Sequence, residues 1–132
     1  MHHTYNIFPE HRLHIEQIEG EFTLGGLATA TDKMLADPSF DPSFDSVVDF
    51  RNAEAQMTRV EILAYSELMK TSDLFNGQSK WVIVASDPLI LELSEIFRNQ
   101  INQNDSIQVV TTIQAAAEFI NCPEVLNYLQ DE

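Results

Sequence analysis

The stretch Thr4-Tyr5-Asn6-Ile7-Phe8-Pro9-Glu10-His11-Arg12-Leu13-His14-Ile15-Glu16-Gln17-Ile18 decides the fold of this chain. Thr4–Phe8 reads as a short strand, Pro9-Glu10-His11 supplies turn chemistry, and Arg12–Ile18 alternates as a second strand does. Successive side chains of a strand point to opposite faces. Leu13, Ile15 and Gln17 therefore share one face, and Arg12, His14, Glu16 and Ile18 the other. Two strands joined by so short a turn must be antiparallel. Glu19-Gly20-Glu21 is expected to end the second strand.

Outward from this hairpin the pattern changes to alternating helix and strand. Leu24, Leu27, Ala28, Thr31 and Leu35 recur at helical spacing behind a capping Thr23. Gly25 and Gly26 weaken that helix by about 1 kcal/mol each relative to alanine, so either a close backbone approach compensates or the helix starts later. Asp37-Pro38 stops it. The internal repeat follows, Asp37-Pro38-Ser39-Phe40 and then Asp41-Pro42-Ser43-Phe44, and predicts consecutive turns in an ordered loop pinned by Phe40 and Phe44. A tandem interaction motif is the other use of such a repeat.

Ser46–Phe50 reads as a buried strand leading into Asp49-Phe50-Arg51-Asn52. Thr58-Arg59-Val60-Glu61 matches a capping box, in which hydroxyl and carboxylate satisfy orphan amides reciprocally, and predicts a helix to about Lys70 closed by Asp73–Gly77. Trp81-Val82-Ile83-Val84 is the continuous apolar run of a parallel strand covered on both faces. Ser86-Asp87-Pro88 caps the next helix, whose stripe is Leu89, Leu93, Ile96 and Phe97, and Asn102–Asp105 breaks it. Ile107–Val110 is the last strand. Thr111 with Gln114 suggests a second capping box, and Ile113, Ala116, Ala117 and Ile120 form a small-residue face on the helix it opens. Pro123 starts a final short helix running to about Leu129.

Strand–helix–strand units force parallel neighbours through right-handed crossovers. The expected fold is α/β, a mixed five-stranded sheet with an N-terminal antiparallel hairpin and otherwise parallel strands, with helices packed on it. It forms one domain over residues 4–130, with residues 1–3 expected to be disordered.

At 132 residues and 15.0 kDa the chain has the usual size of one domain and needs no disulfide or metal to fold. Cys122 is its one cysteine, which suits a reducing compartment. No apolar run approaches the roughly 20 residues of a membrane helix. Met1-His2-His3-Thr4-Tyr5 lacks the basic start and apolar core of a signal peptide, so the expected compartment is the cytoplasm. Seven Lys and Arg against twenty-one Asp and Glu give a formal net charge of −14. The cations are scattered singly from Arg12 to Arg98, so nucleic acid and anionic lipid are not expected partners. Such a charge serves solubility, or else a basic protein partner.

This order of elements resembles the STAS fold of anti-sigma-factor antagonists, and is closer still to the SpoIIAA-like group of small bacterial proteins. The resemblance covers Tyr5–Leu129 and rests on the early hairpin, the Asp37–Phe44 loop and the Val47-Val48-Asp49-Phe50-Arg51 strand. It implies a phospho-acceptor serine at the start of the helix after the third strand, whose phosphate switches partner binding. The equivalent region here reads Asp49-Phe50-Arg51-Asn52-Ala53-Glu54-Ala55-Gln56-Met57-Thr58, without the Asp-Ser-Ser-Gly-type stretch. Thr58 is its first hydroxyl, and capping accounts for that residue.

Ligands of open α/β sheets bind beyond the carboxyl ends of the strands, where helix N-termini converge. Asp49, Arg51, Asn52, Thr58, Ser86, Asp87, Thr111 and Thr112 are the candidates for that region. Ser86, Asp87 and Thr111 also read as ordinary caps, and Asp49 with Arg51 as a structural ion pair. Phe40, Phe44, Phe50, Tyr65 and Met69 are candidates to line an apolar space between helix and sheet. His2, His3, His11 and His14 do not make a metal site by spacing, and Cys122 reads as a packing thiol. No nucleotide, zinc or nucleophile-elbow motif occurs, so no catalytic residues, metal or cofactor are expected.

The leading expectation is therefore a non-enzymatic regulatory or protein-interaction module, docking a protein partner through Arg51–Thr58 and the helix that follows. The alternative is a binder of a small apolar or lipid-like ligand. A homodimer is open too, through Val60 and Leu63 or through Ile62 and Tyr65, whichever pair faces outward.

Overall fold

Strands β1 (His2–Phe8), β2 (Leu13–Thr23), β3 (Asp45–Gln56), β4 (Trp81–Val84) and β5 (Ile107–Val110) form one sheet in the order β1-β2-β3-β4-β5. The structure is a computed structural model and describes residues 1–75, 77–103 and 105–131. β1 runs antiparallel to β2, and every other neighbouring pair is parallel. This is the hairpin-started mixed sheet expected from the sequence. Asn76 and Asn104, in the two breaks expected after the second and third helices, lie outside the described residues.

The helices are α1 (Leu24–Leu35), α2 (Arg59–Lys70), α3 (Pro88–Ile101) and α4 (Ile113–Ile120). Strands that advance one place at a time through right-handed crossovers carry every crossover helix to the same face. Leu27 and Met34 of α1, Ile62, Tyr65 and Met69 of α2, and Ile90, Leu93 and Phe97 of α3 accordingly join Ile18, Val48 and Phe50 in one core. α4 follows the last strand and is free of that constraint. With the 3-10 turn Pro123–Asn127 it covers the opposite face, where Ile113, Ala116, Ala117, Ile120 and Val125 pack on Leu13, Ile15, Val47, Val82 and Val84.

Two strands are longer than expected. β2 continues through Glu19-Gly20-Glu21 to Thr23, and β3 continues through Arg51 and Asn52 to Gln56. Past the four pairs that β3 makes with β4, the two long strands pair with each other, from Glu19↔Asn52 to Thr23↔Gln56. Phe22, Ala53 and Ala55 are buried there while Glu21, Glu54 and Gln56 are exposed, so the alternation has period two. Alanine and glutamate are poor strand formers, and one buried face outweighs that preference. Gly20 sits in the strand at φ +78°, where a side chain would be strained. The register slips between Gln17 and Glu19, where β3 holds one more residue than β2. β1 likewise begins earlier than expected, because His2 and His3 pair with Glu19 and Ile18 rather than being disordered.

The repeat folds as the same turn twice. Ser39 N–H donates to Asp37 Oδ1 at 2.8 Å and Ser43 N–H to Asp41 Oδ1 at 2.9 Å, and the phenylalanine amides close each turn on the aspartate carbonyls. Thr23 accepts from Gly26 N–H, so α1 starts before its glycines. A Cβ on Gly26 would meet Met1 Sδ at 3.4 Å, an ordinary contact with the end of a flexible side chain, so no close backbone approach calls for glycine there. The capping box at Thr58 and Glu61 is complete. The cap of α4 is Thr112, accepting from Ala115 N–H, rather than Thr111, and the Gln114 amide bonds Glu118 instead of reaching back.

Candidate functional site

At the carboxyl end of the strands the chain is already its own ligand. Asp49, buried on β3, takes a forked pair from the Arg51 guanidinium at 3.0 and 3.1 Å, together with the Arg51 amide. Arg51 also donates to the Gln130 carbonyl at 2.8 Å and lies 3.5 Å from Asp131. Asp131 in turn accepts from Ile113 and Gln114 N–H at the start of α4 at 2.7 and 3.0 Å. Those amides hold its carboxyl below the usual range, and Arg51 adds a smaller pull in the same direction. The anion seat that a helix N-terminus and an arginine create is thus occupied by Asp131.

The other strand-end candidates sit in separate local settings. Asn52 lies exposed within β3 instead of beyond it. Asp87 caps α3 by accepting from Leu89 and Ile90 N–H, Ser86 is exposed beside it, and Thr58 caps α2. Arg51–Gln56 is strand, so the docking segment expected between Arg51 and Thr58 is not a loop. Burial raises the Cys122 thiol above its ordinary value, and its S–H contacts the Glu124 carboxylate at 3.4 Å. Among the described residues no three His, Cys, Asp or Glu side chains are grouped to hold a metal ion.

His14 and Glu16 are neighbours on the same face of β2, and their settings differ. The His14 ring stacks on Phe40 at 4.4 Å and lies 5.4 Å from Phe44. Its Nε2 accepts the Asp41 amide at 3.3 Å, so in the neutral ring Nδ1 carries the hydrogen and donates to Ser46 Oγ at 2.9 Å. Burial pushes its pKa down to about 4, against a smaller upward pull from Asp41. Phe40 and Phe44 therefore clamp a histidine.

Glu16 opens on a cavity of about 100 Å³ between the sheet and α1, α2 and α3. Phe50, Tyr65 and Met69 line it, as do Phe22, Val48, Leu93 and Phe97, whereas Phe40 and Phe44 do not. Its polar lining is Glu16, Thr31, Tyr65 and Ser94. The Tyr65 and Thr31 hydroxyls bond each other at 3.3 Å, and burial raises the Tyr65 phenol above its ordinary value. Glu16 Oε2 accepts from His3 Nε2 at 2.8 Å. The strand parity of the sequence puts Glu16 on the face of His14 and Ile18. Its burial depends on β1, which brings His3 over it, and on three helices distant in sequence.

No protein-family model matches this chain, and no curated protein does. No helix among the described residues is long and apolar enough to cross a membrane.

Proposed function

We propose that this chain is a non-catalytic binding module of STAS-like fold that takes a small apolar or amphipathic ligand between its sheet and α1–α3. The observation that carries the reading is the cavity, which is walled almost wholly by apolar side chains and holds a few polar groups, the usual make-up of a small-molecule site. An apolar space of this kind is not filled well by water. Benzene serves as a head-less probe. On this reading it raises the midpoint of thermal unfolding with dose, because a ligand that binds only the folded state stabilises it by mass action. Native mass spectrometry of freshly purified protein that shows only the apo mass, with no shift across benzene and a panel of apolar ligands, removes the reading.

A second reading, a regulatory protein-docking module, has its own observation. Val60 and Leu68 on the outer side of α2 are 76% and 62% exposed, with Leu63 at 40% between them, while Ile62 and Tyr65 face inward. Of the two candidate dimer pairs, Val60 and Leu63 are the accessible one. Val60→Glu with Leu68→Glu abolishes partner capture or self-association if α2 is the docking face. Unchanged sedimentation and unchanged capture exclude it. A bacterial cytoplasmic setting belongs to the same proposal, supported by the lone buried Cys122 and the resemblance in element order.

A further inference from the structure

The cavity has one acidic wall. The Glu16 side chain is 5% exposed, and its bond from His3 is the one hydrogen bond its carboxylate makes among the described residues. A carboxylate has about four acceptor positions, and each further donor offsets part of the cost of burying it. Two hydroxyls of the cavity wall, those of Tyr65 and Thr31, are engaged with each other. A ligand in the space can offer Glu16 a further donor. Water would satisfy the carboxylate but not the apolar walls formed by residues such as Phe22, Val48 and Phe97.

We propose that the cavity binds a compact apolar molecule with a hydrogen-bond-donor head, a primary ammonium or hydroxyl seated on Glu16, and rejects the matching carboxylate. The inference rests on the ligand-binding reading above and gives it a chemical sign. A donor head completes the shell of Glu16. An anionic head would bring a second negative charge beside a buried one, which costs affinity in a water-poor site. At about 100 Å³ the space is of the same order as the roughly 150 Å³ apolar cavity that admits benzene, which suits about six or seven heavy atoms.

The test measures binding of benzene, pentylamine, pentanol and pentanoate to the whole chain by calorimetry and by chemical-shift perturbation. Salt is kept high enough to screen the chain's overall negative charge. The expected result is binding of pentylamine and pentanol, with pentanoate weaker than pentylamine by about tenfold or more. Glu16→Gln should remove about tenfold of the pentylamine affinity and leave benzene unchanged. If benzene binds but the three heads bind alike, or if Glu16→Gln preserves their ranking, the inference is overturned while the cavity reading stands. If no probe binds, benzene included, both fall. Should Glu16→Gln fail to fold, the ranking of pentylamine over pentanoate in the unaltered chain decides alone.

Discussion

The two faces of the sheet are packed by different rules. On the α4 face, Ala116 and Ala117 pack with Val47, Val82 and Val84, and the buried core residues there are aliphatic apart from Cys122 and nearly all inaccessible. On the face of α1, α2 and α3 the side chains are larger, aromatic and methionine-rich, and three helices meet around a space they do not fill. Most of the buried polar residues lie on that second face, among them His14, Glu16, Thr31, Ser66 and Ser94, whereas Asp49 is buried on the α4 side. The lesson is that one helix with small residues and the short turn after it can seal a sheet face, whereas bulky side chains from several helices leave gaps.

The largest effect that distinguishes the faces is truncation. Ile113→Ala on the sealed face should cost about 3 kcal/mol in urea unfolding, since the residue is wholly buried and its neighbours cannot collapse into the hole. A loss below about 1 kcal/mol would show that this face is not close-packed. Enlargement reverses the test. Ala116→Leu should cost about 2 kcal/mol by overpacking, whereas Ser94→Leu, directed at the cavity, should stay within about 1 kcal/mol of the parent. Equal losses in the two variants would erase the contrast.

Acid sharpens the comparison within the roomier face, between His14 and Glu16. His14 ionises at about 4 in the folded chain against an ordinary 6.5, so the unfolded chain binds the proton more tightly. Its contribution is fully present above pH 6.5 and is lost as the pH falls toward 4. Between about pH 7 and pH 5 the loss is on the order of 2 kcal/mol. His14→Phe should flatten that part of the pH profile, and a variant that keeps the full slope would assign it to another group. The smallest effect is a control in which the faces agree. Thr58→Ala and Thr112→Ala should each cost about 1 kcal/mol through loss of a cap, with Thr111→Ala near zero.

Local signals made much of this fold readable from the sequence. The hairpin, the caps at Thr23, Thr58 and Asp87, the repeated turns and the apolar run at Trp81–Val84 depend on residues within a few positions of each other. The lengths of β2 and β3 were not readable in this way, because Glu19–Glu21 and Ala53–Gln56 become strand only when each supplies the other's ladder. The Asp49–Arg51 pair was legible from strand spacing. That Asp131 completes it was not, since the two ends of that contact lie far apart in the chain.

The candidate site divides the same way. Sequence alone determined that His14, Glu16 and Ile18 share one face of the second strand of a hairpin-started α/β sheet, because side-chain parity is a local property of extended backbone. It also singled out Phe40, Phe44, Phe50, Tyr65 and Met69 as apolar lining, of which Phe40 and Phe44 pack on His14 instead. Only the tertiary structure decided that His14 has both ring nitrogens satisfied and stacks on Phe40, while Glu16, two residues on, opens into the cavity. The reason is physical: burial and hydrogen-bond satisfaction are set by what β1, the repeat loop and three separate helices place over each residue.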